Sequence, residues 1–416
     1  MFLSTLNYMA KSPLILAALA KDACRHLDFA QVKSLNAGTD GTFDTALLTS
    51  TTGEHYVVRI ANTQSAGTEQ EVELQSLRAI GAAGRANLPF KITNLVGETR
   101  DEKGARALVF DFVYGNPIHV DEVSGESELA RNIGLAIAAI HKLPLSVVEN
   151  ANLPEFTPEE LVRARTADLD RFASTGKVPS VLLSRWEAVL EDVNIFRFQP
   201  TIVHGALNGD TVLEEGGREV VGVLAWGNLK ISDPAIDLAW VFGVQNDPLA
   251  DAVLAAYSAS RSVTDAGLRQ RAILYSEFDL ARWLLHGLNK GDQLIIDDAI
   301  EMLTKRAEEV ESGVVGRLTA APIHEPEFVP FMDSPIEIVD TVYTDFNDPS
   351  QSFEIIEINE LDSTEDPEVT SGLATDDDDE FEIVKIDESL ATAEIQVVDD
   401  KTKPIELPQK TDNELF

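Results

Sequence analysis

Hydrophobic residues recur along this chain with two periods, and each period predicts a different kind of element. A strand–turn–strand begins near Val32. After Gly53, the alternating, β-branched run Tyr56-Val57-Val58-Arg59-Ile60 predicts a strand. Ala107 to Tyr114 is an apolar strand that runs into the turn Gly115-Asn116-Pro117. Elsewhere the helical period takes over. Over roughly residues 68–82, Val72, Leu74, Leu77 and Ile80 recur at helical spacing. Leu135 to His141 is a second helical pattern, and residues 158–174, 179–190, 248–260, 265–288 and 292–313 predict five more helices. At the N-terminus, Lys11 followed by residues 12–20 resembles a short signal-peptide core. Leu14, Leu16, Leu19, Cys24 and Leu27 nevertheless continue through Lys21, Asp22 and Arg25 as an amphipathic helix, so the segment is read as the first helix of the domain. No stretch is long and apolar enough to span a bilayer, and a cytoplasmic setting is expected.

The 416 residues allow a sizeable core, and the single Cys24 excludes a disulfide framework and a cysteine zinc site. The net charge of −38 argues against nucleic acid and anionic membrane as partners. That charge is uneven: residues 321–416 hold 28 acidic and 4 basic residues, so 24 of the 38 excess negative charges lie there. This composition predicts a disordered acidic tail. Three apolar–acidic beads recur in it, Ser334 to Asp340, Phe353 to Ile358 and Phe381 to Ile386. Such beads can add as strands to a sheet edge, either on the chain's own domain or on a protein partner.

Two segments carry the candidate chemistry. The first is His204-Gly205-Ala206-Leu207-Asn208-Gly209-Asp210-Thr211-Val212-Leu213. The second is Val223-Leu224-Ala225-Trp226-Gly227, followed by Asp233-Pro234-Ala235-Ile236-Asp237-Leu238-Ala239. Together they resemble the catalytic loop and metal loop of the aminoglycoside phosphotransferase family, a small-molecule branch of the protein-kinase-like fold. The family patterns are H-G-D-L-H-P-x-N-[VI]-L and [VI]-x-D-[WF]-[GE], then D-P-x-x-D-L-A. The frame is kept, but Ala206 stands at the acid–base Asp position, Thr211 at the metal-ligand Asn position and Ala225 at the metal-ligand Asp position.

The resemblance covers roughly residues 10–316. It implies an α+β, protein-kinase-like two-lobed fold: a small lobe of five antiparallel strands and one helix, with the N-terminal helix added, then a mostly helical large lobe. The implied domains are 1–114, 115–320 and the tail 321–416. Asn36 to Asp44, with Gly38 and Gly41, takes the place of a phosphate-covering loop, although Asp40 and Asp44 would put negative charge beside phosphates. Arg59 takes the place of the phosphate-contacting Lys, and Glu73 that of its helix partner, with Glu69 as an alternative. Asp111, Phe112 and Val113 fall at the hinge whose backbone meets the adenine. His204, Asp233 and Asp237 are implied to be structural supports of the loops, and His141 a packed structural residue.

Phosphoryl transfer rests mostly on positioning and charge stabilisation. Alanine has no acceptor atom, so Ala206 cannot take a proton and Ala225 cannot hold a hard cation that needs oxygen ligands. Thr211 keeps one hydroxyl, a weak neutral ligand. Losing a general base alone costs roughly 10²–10⁴ in rate. The expectation is therefore a pseudokinase with no intact catalytic residue and no metal site, acting by binding or regulation. ATP without tightly held magnesium is the cofactor the resemblance allows, and a small molecule in the large lobe the ligand. The alternative is an active ATP-dependent phosphotransferase or nucleotidyltransferase acting on a hydroxylated small molecule, with Asp210, Glu214 or Glu215 supplying the missing carboxylates.

Overall fold

The structure, a computed structural model, describes residues 10–35, 42–244, 246–261, 263–315 and 318–319. The loop glycines Gly38 and Gly41, and the acidic tail with its three beads, lie outside the described residues.

The chain opens with α1 (Pro13–Ala23), started by the Ser12 hydroxyl, which accepts from the Ile15 N–H, and by a proline in the first turn. Strands β1 (Phe29–Ser34), β2 (Phe43–Ser50) and β3 (His55–Ala61) follow, then α2 (Gln64–Ala86), β4 (Leu95–Arg100) and β5 (Arg106–Asp111). They form one five-stranded antiparallel sheet in the order β1-β2-β3-β5-β4. The two-residue side-chain period gives this sheet two different faces. Leu48, Val58, Ile60 and Val109 pack with Leu16 and Ala20 of α1. Leu108 and Phe110, from the alternate positions, join Leu74, Leu77 and Ile80 of α2 in a second core that continues into the large lobe. Each fully buried Leu or Ile contributes about 1.5–3 kcal/mol. Arg59 shares the α2 face, between Val58 and Ile60 of the opposite face. Helix α2 exceeds the predicted span at both ends: the Thr63 side chain caps it four residues early, and after the break at Gly81 (φ 56°, ψ −176°) the chain resumes for a further turn.

The short β6 (Asn116–Pro117) leads into the large lobe: α3 (Glu128–His141), α4 (Ser146–Glu149), α5 (Pro158–Ser174), α6 (Ser180–Glu191), β7 (Thr201–Val203), β8 (Val212–Glu215), β9 (Glu219–Val223), β10 (Lys230–Ser232), α7 (Ala239–Phe242), α8 (Asp247–Ser260), α9 (Leu268–Lys290) and α10 (Gln293–Glu311). Gly115 (φ 142°) makes the turn between lobes, and a Cβ there would stand 2.8 Å from both Leu213 and Val221. Helix α5 begins at the predicted residue because Thr157 and Glu160 form a capping box. Helix α9 begins at Leu268, not Asp265, since the Asp265 carboxylate is spent on Arg271 instead of on a helical first turn. Antiparallel pairs β7–β10 and β6–β8–β9 support the loops between them. Among the described residues, no helix is long and apolar enough to cross a membrane.

Candidate functional site: a cleft framed by Asp233 and Asp237

Asp237 holds the first loop in place. Its carboxylate accepts from the backbone N–H of His204 (2.7 Å) and of Gly205 (2.7 Å), and from His141 Nε2 (3.1 Å). Gly205 is left-handed (φ 81°), and a Cβ would fall 2.6 Å from the Asn228 carbonyl, so glycine is required where the two loops touch. His204 is buried, donates from Nε2 to the Leu224 carbonyl (2.8 Å), and meets the Trp226 ring edge-on at 4.7 Å. His141 accepts at Nδ1 from the Tyr257 hydroxyl (2.9 Å). Both histidines are therefore neutral supports.

Asp233 anchors the far end of the second loop. It accepts two hydrogen bonds from Arg271 (2.7 and 3.0 Å), one from the Tyr275 hydroxyl (2.7 Å) and one from the Ala235 N–H (2.9 Å). Arg271 also reaches Asp265 and the Ile195 carbonyl, and lies 4.4 Å above the Phe198 ring. Burial opposes the Arg271 charge, but the Asp233 and Asp265 carboxylates outweigh it and raise its pKa.

Within this frame the three replaced positions have no donor set for magnesium. Ala206 and Ala225 present methyl groups. The Thr211 hydroxyl closes its own loop, donating to the Asn208 carbonyl (3.1 Å) while accepting the Asn208 N–H (2.9 Å). Asn208 Oδ1 in turn accepts from the Asp210 and Thr211 N–H groups (2.9 and 3.0 Å). A hard divalent cation wants several oxygen ligands, and these residues do not fit it. Among the described residues, no three His, Cys, Asp or Glu side chains converge on a metal-sized site.

The neighbouring acids are exposed or held by other groups. Asp210 is exposed on the loop. Glu214 is held by Asn116 Nδ2 (3.3 Å) and the Gly217 N–H (2.6 Å), and Glu215 lies exposed where the β8–β9 hairpin turns. Three residues of extended strand from Val212 carry Glu215 about 10 Å from the loop.

Ala225 has φ 62° and ψ 53°, a left-handed conformation that Asp tolerates better than Ala does. The backbone thus keeps a shape unfavourable to its present side chain. Ala225→Gly is expected to raise the unfolding free energy by about 0.5–1 kcal/mol in urea melts. A loss of stability would show that the Ala225 methyl makes packing contacts that outweigh this strain.

On the small-lobe side, Arg59 forms an ion pair with Glu73. Its guanidinium lies between Phe43 (4.9 Å) and Phe110 (5.6 Å). Glu69 instead accepts from Ser65 (3.3 Å), so it is not the partner of Arg59. Two acids close to the expected nucleotide site have their carboxylates held by neighbouring groups. Asp44 accepts from the Lys11 N–H (2.8 Å) and Asn62 Nδ2 (3.1 Å), and Asp111 accepts from the Asn94 N–H (2.5 Å) and Nδ2 (2.8 Å). Both carboxylates brace the sheet. At the hinge, Val113 is buried, and Phe112 packs at 4.9 Å against the exposed Tyr114.

Beneath the first loop lies a cavity of about 580 Å³ lined by Gly205 to Asn208, Lys230 and side chains of α5 and α9. Its charged lining, including Arg165, Lys230 and Arg282, carries no motif in the sequence, because α5 and α9 supply it from distant positions.

Burial pushes both His141 and His204 below their ordinary value of 6.5. The unfolded chain therefore binds more protons than the folded one below that value. Stability from this source is complete above about pH 6.5 and falls as pH drops toward the folded-state values. Urea melts in high salt, which screens the net charge, are expected to lose about 1–3 kcal/mol between about pH 7.5 and about pH 5.5. A flat profile would mean that the two imidazoles can be protonated without cost.

A five-stranded antiparallel lobe braced by an Arg–Glu pair, above a helical lobe with two facing loops, defines a protein-kinase-like phosphotransferase scaffold. The chain belongs to the Phosphotransferase enzyme family, whose sequence model matches residues 34–274. Solved structures of similar fold include the macrolide 2'-phosphotransferase MphH from Brachybacterium faecium, at 21% identity and TM-score 0.58 over 70% of this chain and 98% of that one. A type I macrolide 2'-phosphotransferase gives 22% and 0.59 over 71% and 99%. The GDP complex of aminoglycoside 2'-phosphotransferase-IIIa gives 18% and 0.59 over 72% and 100%. At these identities the likeness is one of fold. No curated protein sequence matches the chain.

Proposed function

We propose that this protein is a pseudoenzyme of its family, which keeps the two-lobed phosphotransferase scaffold and acts by binding, not by phosphoryl transfer. The observation that carries this is the pair of methyl groups at Ala206 and Ala225 inside loops still tied down by Asp237 and Asp233. The frame's hydrogen bonds keep both loops in shape. Alanines at the acid–base and metal positions supply neither proton acceptor nor cation ligand. Nucleotide, where it binds, would lie at the hinge near Arg59 without a magnesium bridge held by the protein. The protein would work in the cytoplasm, and its acidic tail, residues 321–416, would contact a protein partner or its own domain.

The test is a thermal melt of the full chain with ATP, in magnesium and then in chelator. A ligand at a hundredfold its Kd adds about 2.7 kcal/mol, which moves the melting temperature by several degrees. The two melting curves are expected to coincide. A magnesium-dependent rise of that size would contradict the proposal.

A further inference from the structure

The cavity beneath the first loop carries a charge that its own walls do not cancel. Arg165, Lys230 and Arg282 face it, against the carboxylates Asp168 and Asp279, leaving three positive groups against two negative ones. Both carboxylates are already committed. Asp168 pairs with Arg165 (3.1 Å), Arg282 (3.4 Å) and Arg171, and Asp279 pairs with Arg282 (2.5 Å). Lys230 is half-buried, and its ammonium forms no ion pair or hydrogen bond among the described residues. Its ammonium is held against the loop, 3.1 Å from where a Cβ on Gly205 would stand and one residue before Ala206. Asp237 is the carboxylate whose charge favours the ammonium, but that carboxylate is occupied by His141 and two backbone N–H groups. Burial, with Arg165 and Arg282, pushes the Lys230 pKa down, so the charge is held at a cost. The lining also includes the apolar side chains of Phe156, Leu161 and Trp240.

We infer that this cavity binds a small molecule bearing a carboxylate or phosphate group on an apolar body, with Lys230 as the anchor of the anion. An oxyanion at Lys230 would give the ammonium its missing partner and balance the surplus charge. The guanidinium groups of Arg165 and Arg282 would add directional donors. Phe156, Leu161 and Trp240 would take the apolar part of the molecule, and about 580 Å³ is within the usual range for small-molecule sites. A cationic ligand would meet three positive groups and two carboxylates already paired with arginines. The inference deepens the binding role proposed above, and rests on it in that the ligand is held and not phosphorylated.

The test is calorimetric titration of the full chain with four matched probes: phenyl phosphate, phenylacetate, neutral phenylacetamide and cationic phenethylamine. The two anions are expected to bind saturably, and the amide and amine at least about tenfold more weakly. Lys230→Met is expected to weaken anion binding about 10- to 100-fold, with Lys230→Arg restoring most of it. Saturable binding by neither anion, equal binding of all four probes, or unchanged anion binding by Lys230→Met would each overturn the inference. The comparison among probes on the native chain stands even if the Met variant fails to fold. Adding labelled ATP and magnesium with 4-(hydroxymethyl)benzoate, an anion that carries a hydroxyl acceptor, separates the two proposals: label appearing on it would sink the pseudoenzyme proposal and leave oxyanion binding intact.

Discussion

Asp233→Ala is expected to lower the unfolding free energy by about 3–5 kcal/mol, a large fraction of what a domain possesses. Asp233 and Arg271 are both fully buried. Removing the carboxylate strands most of a guanidinium in the interior, with Asp265 as its remaining counter-charge. It also leaves the Tyr275 hydroxyl and the Ala235 N–H without an acceptor. Breaking one side of a buried pair costs far more than the pair adds, because the remaining charge has lost both water and partner. Asp233→Asn keeps the shape and part of the hydrogen bonding, and should lose less. Urea denaturation of both variants measures this. A loss below about 1 kcal/mol for the alanine variant would show that water or Asp265 satisfies Arg271, and that Asp233 is not an anchor.

The triple change Ala206→Asp, Thr211→Asn and Ala225→Asp is expected to create magnesium-dependent ATP binding at least about tenfold tighter than the native chain shows, and to raise ATP hydrolysis by about 10²-fold. The backbone is already shaped for it. Ala225 holds the left-handed conformation that an aspartate adopts more readily. Asp237 already fixes the His204 and Gly205 amides, so residue 206 has a defined place. Arg59 and Glu73 are already paired within the small lobe. The obstacle is the Asn208–Thr211 ring, which must open to release an asparagine at 211. Ala225→Asp alone should give a smaller gain in magnesium dependence. If the triple variant binds ATP no better with magnesium than without, then the cleft has changed beyond those three side chains.

Much of the fold was legible because its local signals agree. The Thr157–Glu160 capping box and the apolar spacing after it define α5 to the residue. The period-two run from Tyr56 to Ile60 identifies β3, and helical spacing puts Glu73 on the side of α2 that reaches Arg59. Other features depend on long-range geometry and leave no local trace. The Asp44 and Asp111 carboxylates turn inward to satisfy Asn62, Asn94 and the Lys11 amide, which no spacing announces. Lys230 looks like an ordinary strand residue, and becomes notable only when α5 and α9 bring Arg165 and Arg282 beside it. The extra turn of α2 follows from a tolerated Gly81 kink, which a pattern search treats as an end.

Phosphoryl transfer itself gives the most direct test. Incubate the purified full chain with γ-labelled ATP and magnesium, alone and with hydroxylated acceptors that include macrolides and aminoglycosides, and count label released or transferred. With methyl groups at residues 206 and 225, release no faster than the buffer blank is predicted, and no labelled acceptor. Catalytic turnover above that blank, abolished by alanine at Asp210, Glu214 or Glu215, would contradict it.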